Sequence, residues 1–195
     1  LLPLSHSYEH TCGLYFPISI GAQIYYAEGP DKVAQNLQEA KPTIMTAVPR
    51  LYEALHDRIQ RGVQQSGGLK KYLFDLTLEL GRKDRVEKKP LSLSEKLSNM
   101  LVDHAVRSKV SLRFGGRLKA FVSGGAALNP DIGNFFLSLG VSILQGYGQT
   151  EASPIISCTR PGNIRIETVG PALKDVEIKI AEDGEILVRG ELVMK

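Results

Sequence analysis

Apolar positions along this chain switch between a helical and an extended period, and the switches mark its elements. Val33, Leu37 and Ala40 follow Asp31, a candidate helix N-cap, and Pro42 closes that short helix. Residues 43–48 are a compact, mostly apolar run that reads as a buried strand. Pro49 suits the first turn of a helix, and Leu51, Leu55, Ile59 and Val63 follow at four-residue spacing until Gly67-Gly68. A second helix carries Leu69, Leu73, Leu76 and Leu80. Ser92 and Glu95 have capping-box spacing, and Leu97, Leu101, Ala105 and Val106 behind them mark a third helix to about Leu112. Gly115-Gly116 breaks this mostly helical stretch.

The pattern then shortens. Residues 118–122 read as a strand that runs straight into Ser123-Gly124-Gly125-Ala126-Ala127. Asn129-Pro130 is a cap and first-turn pair for a helix bearing Ile132, Phe135, Phe136 and Leu139, closed by Gly140. Residues 141–144 are the next buried strand, followed by Gln145-Gly146-Tyr147-Gly148-Gln149-Thr150-Glu151. Strict alternation over 176–180 and 185–189, around Asp183-Gly184, predicts a hairpin. The fold class is therefore α/β, built of strand–helix–strand units with a helical insertion and a hairpin-rich C-terminal end. The segments are 1–48 (α/β), 49–116 (helical), 117–168 (α/β with the glycine-rich loops) and 169–195 (the start of a β-rich part).

The two glycine-rich loops share one design. Each follows a buried strand, and one helix joins the two strands, which predicts a right-handed crossover between parallel neighbours. Ligands of open α/β sheets bind beyond the carboxyl ends of the strands, so both loops should open on one edge. Small residues in the first loop let a flat ligand approach the backbone. In the second, Tyr147 offers an aromatic face between Gly146 and Gly148, Thr150 a hydroxyl for a phosphate oxygen, and Glu151 a carboxylate suited to Mg²⁺. Together they make a nucleotide-site constellation; the bland reading is a glycine-rich turn capped by Thr150 and Ser153.

Composition narrows the partners. The 195 residues are 43% hydrophobic and 23% charged, an ordinary globular balance, and a net charge of +3 is too small to point to nucleic acid. Two cysteines, Cys12 and Cys158, form no metal-binding or disulfide pattern and fit a reducing cytoplasmic compartment. No apolar run reaches the roughly 18–20 residues of a membrane span, and no signal peptide is visible. Basic residues concentrate at 82–89, either as a solvated helix end or as a docking patch for acidic lipid headgroups. The first residue, Leu1, is not Met, and the chain stops directly after a strand-like segment, so a piece of a longer protein is expected.

Gly146-Tyr147-Gly148-Gln149-Thr150-Glu151 resembles the Y-G-x-T-E signature of adenylate-forming enzymes, which include acyl-CoA synthetases, firefly luciferase and peptide-synthetase adenylation domains. Four more segments resemble that family in the expected order. Leu2-Pro3-Leu4-Ser5-His6 is similar to its P-L-x-H segment, Ser123 to Leu128 to S-G-G-A-x-L, Val169-Gly170-Pro171 to V-G-x-P, and Gly184 to Gly190 to G-E-(I/L)-x-V-R-G. Ala47-Val48-Pro49-Arg50-Leu51-Tyr52-Glu53 and the extended helical stretch resemble long-chain fatty acid–CoA ligases in particular.

The resemblance implies a two-step ligase. A fatty carboxylate attacks the α-phosphate of ATP to give acyl-AMP and pyrophosphate, and the thiol of coenzyme A then displaces AMP. It implies that Ser123, Gly124, Gly125 and Ala126 with Gln145, Gly146, Tyr147, Gly148 and Gln149 hold the adenosine part. Thr150 would contact the phosphates and Glu151 would bind Mg²⁺; His6, Tyr8, Gly148 and Pro154 would lie at the acyl pocket, with His6 beside the reacting carboxylate. The family's phosphate loop, ribose-binding aspartate and catalytic lysine would lie before Leu1 and after Lys195, so this chain alone should not complete the reaction. The parent would be cytoplasmic, with peripheral membrane association as an option, and would take fatty acid, ATP and coenzyme A.

Three other readings stay open. A fatty acyl-AMP ligase would load a carrier protein instead of coenzyme A. A non-catalytic nucleotide-binding module would have no need of Glu151 beside Thr150. His6-Ser7-Tyr8-Glu9-His10 matches H-x-x-E-H, the inverted zinc-peptidase pattern, although Pro3 before it and Gly13 after it argue against the long helix that pattern needs. His56 and His104 fall in helical patterns and receive no role.

Overall fold

A computed structural model describes residues 2–195. Strands β1 (Ile44–Ala47), β2 (Ala120–Ser123), β3 (Ile143–Tyr147) and β4 (Ser157–Cys158) form one sheet in that order. The first three run parallel, with Thr46 beside Val122 and Val122 beside Leu144; β4 is antiparallel to β3, pairing Cys158 with Gly146. Strands β5 (Glu177–Ile180) and β6 (Ile186–Arg189) form the separate hairpin that the alternation predicts.

Helices α1 (Phe16–Ser19), α2 (Val33–Ala40), α3 (Pro49–Ser66), α4 (Gly68–Gly81), α5 (Leu93–Val102), α6 (Ser108–Arg113) and α7 (Pro130–Ser138) complete the fold. Alternation along the strands divides the sheet's faces. Ala47, Phe121 and Ile143 enter the main core with Leu51, Tyr52 and Leu55 of α3, Phe74 of α4 and Phe135 and Phe136 of α7. Tyr52 and Phe136 are fully buried, and their rings meet edge to face. In the intervening row, Thr46 meets Glu9 from the opposite side.

Several local expectations hold. Ser92 and Glu95 close a reciprocal capping box, with the Ser92 amide donating to the carboxylate at 2.7 Å. The side chain of Asn129 accepts from the Asp131 amide at 2.8 Å. After α7 the chain turns through Gly140 at φ 81°, a left-handed conformation that glycine takes without strain.

Others are corrected. Asp31 makes no side-chain cap; it lies inside a 3₁₀ turn, Pro30–Lys32, that leads into α2. The third helix is not uniform, because the π-helical turn Asp103–Arg107 separates α5 from α6. There Arg107, 6% exposed, donates to the carbonyls of Ser138 and Thr77 and to the side chains of Asn99 and Asp103, so it ties α4, α5 and α7 together. Leu97 and Leu101 do not enter a core: they are 63% and 64% exposed. The inner side of α5 rests instead on Val102, packed with Leu80 and Leu91. The H-x-x-E-H segment is helical after all, because the chain winds from residue 7 through the π-helical turns Glu9–Tyr15 into α1. The Phe16 amide reaches back to the Thr11 carbonyl, the wider i−5 bond of a π-turn. Gly13 fits this helix, since a Cβ there would collide with the Glu9 side chain.

Candidate active site

The carboxyl ends of β1, β2 and β3 lie at one edge of the sheet, and three segments meet there. Behind Ala47, which pairs with Ser123, the chain turns at Val48 into α3. The Val122 carbonyl accepts from the hydroxyls of Tyr8 at 2.9 Å and Tyr52 at 3.1 Å. Burial pushes both phenols above their usual pKa, with nearby Cys12 and Glu9 adding to the effect at Tyr8 and Tyr8 adding to it at Tyr52, so both stay neutral donors. The Tyr8 ring lies against Gly124: a Cβ there would stand 3.1 Å from Tyr8 Cζ. The first glycine-rich loop thus has the N-terminal helical segment as a roof. Ser123 beneath it is 2% exposed, and its Oγ has no hydrogen-bond partner among the described residues. Gly125 and Ala126 are exposed, and Gly125 holds φ 81°.

The second loop leaves β3 beside the first. Gly146 and Tyr147 are half-buried and residues 148–151 are exposed. Gly148 is obligatory, because a Cβ would run into the carbonyl oxygen of the buried Pro154. Gln145 faces away from the edge: its amide nitrogen donates to the carbonyls of Ile166 at 2.5 Å and Thr168 at 3.2 Å, which makes it a brace behind the loop. Thr150, Glu151 and Ala152 form one 3₁₀ turn. The hydroxyl of Thr150 bonds that of Ser7 at 3.0 Å, which brings the Pro3–His6 neighbourhood to the same edge. Met194 donates its amide to the Glu151 carbonyl at 2.9 Å, and Ser153 donates to Leu192, so the chain beyond the hairpin rests on this turn. The Glu151 carboxylate pairs with no cation among the described residues and is open to solvent, which fits a hard cation that prefers oxygen ligands.

The remaining sequence candidates separate. His6 is exposed, and its Nδ1 accepts from the Tyr8 amide at 3.2 Å. His10 Nδ1 contacts the Leu4 carbonyl at 3.0 Å, and its ring meets Tyr15. Glu9, the would-be base of H-x-x-E-H, is 8% exposed and turned toward Thr46. The three residues therefore do not converge as a peptidase centre. Sequence reasoning missed Tyr52 as a partner of the site; its only signal was its place in the Val-Pro-Arg-Leu-Tyr segment. A cavity of about 340 Å³ lies at the opposite edge, beside Ala120, Val141 and Ser142, and holds none of the motif residues.

The arrangement offers closely approachable backbone, one aromatic face, a hydroxyl and a free carboxylate along a single edge. The profile of the family described as AMP-binding enzyme matches residues 1–195, and the chain belongs to that family. It is 30% identical to the peroxisomal long chain acyl-CoA synthetase 7 of Arabidopsis thaliana, covering 100% of this chain and 29% of that protein. It is 33% identical to the putative fatty-acid–CoA ligase fadD11 of Mycobacterium tuberculosis, covering 100% and 35% respectively. Among solved structures, the long-chain-fatty-acid-CoA ligase FadD1 of Archaeoglobus fulgidus superposes with a TM-score of 0.59 at 19% identity, over 100% of this chain and 34% of that one. An anthranilate CoA ligase in complex with anthranoyl-AMP superposes at 0.60 with 22% identity, over 97% and 30%. The fold is that of adenylate-forming enzymes, and the chain spans about a third of the length of these curated relatives.

Proposed function

We propose that this chain is the central part of the nucleotide-binding domain of an ATP-dependent long-chain fatty acid–CoA ligase. The observation that carries the reading is the meeting of both glycine-rich loops, Tyr8 and the Ser7–Thr150 pair at one sheet edge. Adenine would lie along the Gly124–Ala126 and Gly146–Gly148 backbones against the exposed side of Tyr147. Gln145 holds this platform from behind rather than touching the base. Thr150 would donate to the phosphates, and the Tyr8 side of the edge, with His6, Gly148 and Pro154, would receive the fatty carboxylate. Glu151 would hold Mg²⁺, which neutralises charge on the leaving phosphates. The matching relatives named for long-chain substrates support the acyl class and coenzyme A as acceptor, in preference to a carrier protein.

The test is palmitate-dependent release of pyrophosphate from ATP. The longer protein that contains this chain should catalyse it, and the 195-residue chain should not, because the family's phosphate loop and catalytic lysine lie outside it. Turnover by the chain alone, or none by the longer protein with any fatty acid, would overturn the reading.

A further inference from the structure

The two edges of the parallel sheet differ in chemistry. Glycines and hydroxyls line the carboxyl end, whereas cations gather at the amino end. There Lys119 leads into β2 and Val141-Ser142 leads into β3. Both are fixed by the backbone: the Lys119 amide donates to the Thr43 carbonyl at 2.8 Å, and the Phe121 amide to the Ser142 carbonyl at 2.9 Å. The cavity of about 340 Å³ at this edge is lined by the apolar Phe114, Leu118, Leu139 and Val141 and by the cationic Arg85, Arg107 and Lys119. Asp103 is the only carboxylate in its lining among the described residues, which leaves a surplus of two positive charges.

That carboxylate is committed to Arg107, whose Nη1 donates to it at 2.6 Å. Arg85 comes from the π-helical turn Arg82–Val86, and its guanidinium lies over Gly140, where a Cβ would stand 3.3 Å from Nη1. Arg85 Nη2 is 3.6 Å from Asp103 Oδ1, beyond hydrogen-bond reach. Its buried Nε has no acceptor among the described residues. A buried donor left without an acceptor is costly, and an anion in the cavity would satisfy it.

We propose that this cavity binds a small organic phosphate, with the phosphate on Arg85 and Lys119 and the organic part against the apolar lining. Charge selects the class. A phosphate monoester carries about −1.5 to −2 at neutral pH and matches the surplus, whereas a carboxylate brings a single charge. Phosphate oxygens also suit the guanidinium fork, and Ser111 and Ser142 stand in the same lining as further polar partners. The volume is that of a small-ligand site and leaves room beyond the phosphate itself. The inference stands apart from the adenylation reading, since it uses no residue of the nucleotide edge.

Phenyl phosphate is the probe, titrated into the isotope-labelled chain and followed through the backbone amide signals. Saturable shifts should concentrate at Lys119, Ala120, Gly140 and Ser142 and leave Gly146 to Thr150 in place. Benzoate, a monoanion with the same ring, should bind about tenfold more weakly. Arg85→Gln and Lys119→Gln should each weaken phenyl phosphate about tenfold, and the amide spectrum of each variant checks its fold. Shifts confined to the nucleotide loops, no saturable shift at all, benzoate bound as tightly as phenyl phosphate, or unchanged affinity in either folded variant would overturn the proposal.

Discussion

The hydroxyl of Ser7 bonds that of Thr150 at 3.0 Å, across 143 positions of sequence. Ser7 begins the helical segment that roofs the first glycine-rich loop through Tyr8, and Thr150 opens the turn that carries Glu151. A single contact thus joins the side assigned to the acyl group and the side assigned to the phosphates. Ser7→Ala should leave the fold intact, since neither hydroxyl is buried, and should loosen only the register of the two segments.

The two glycines around Tyr147 should respond differently to alanine. At Gly148 the new methyl meets the Pro154 carbonyl, which must move; urea unfolding should show a loss of about 2 kcal/mol or more. At Gly146 the nearest atom to a new Cβ, the Ser157 carbonyl oxygen, is 3.7 Å away. Gly146→Ala should be neutral or stabilise by about 0.5 kcal/mol through reduced freedom of the unfolded chain.

Tyr8 and Tyr52 share one acceptor, so their hydroxyls should not contribute additively. Either Tyr→Phe change leaves the Val122 carbonyl with the other hydroxyl and should cost about 0.5–1 kcal/mol; the double change removes both, and a double-mutant cycle in urea unfolding should show a coupling of about 0.5 kcal/mol or more between them. The sign of the pH effect follows from the raised pKa values. Both phenols stay protonated in the fold while the unfolded chain ionises near its ordinary value of 10.0. Their stabilisation is complete below that pH and is lost as pH rises above it. Thermal melts across the alkaline range should fall more steeply for the wild type than for Tyr8→Phe/Tyr52→Phe.

Much of this fold was legible because local chemistry and tertiary packing agree. The β2–α7–β3 unit, the Asn129 cap, the Ser92–Glu95 box and the β5–β6 hairpin each combine a periodicity with a turn or cap residue. The failures lie where tertiary contact overrides the local signal. Pro3 and Gly13 argued against a helix at His6 to His10, yet the π-turn register and the bulk of Glu9 make glycine suitable there. Leu97 and Leu101 have core spacing but face solvent, because spacing identifies an apolar face and not what covers it. At the site, the edge and its loops could be read directly. The bracing role of Gln145 and the Tyr52 contact could not, since both depend on segments distant in sequence.

Cys12 is half-buried, and burial, then Cys158 and Glu9, push its thiol up to about 11. Near pH 8 it should hold about a hundredfold less thiolate than an ordinary cysteine, partly offset by the greater nucleophilicity of a more basic thiolate. Alkylation by iodoacetamide, followed peptide by peptide in a mass spectrometer, should be about tenfold slower than for a free thiol. Urea should restore the ordinary rate. Rapid alkylation in the native chain would show that the helical segment over the glycine loop is not closed.

The most direct test of the central claim is Glu151→Gln in the longer protein. The change keeps the side chain's size and removes the charge proposed to hold Mg²⁺. Adenylation, which develops charge on leaving pyrophosphate, should fall by about 10²–10³. Transfer of the acyl group from supplied acyl-AMP to coenzyme A releases no pyrophosphate and should change much less. Measuring acyl-AMP formation and acyl transfer separately in the variant gives the answer: a selective loss of the first is predicted, and equal losses in both, or no loss in either, would contradict the account.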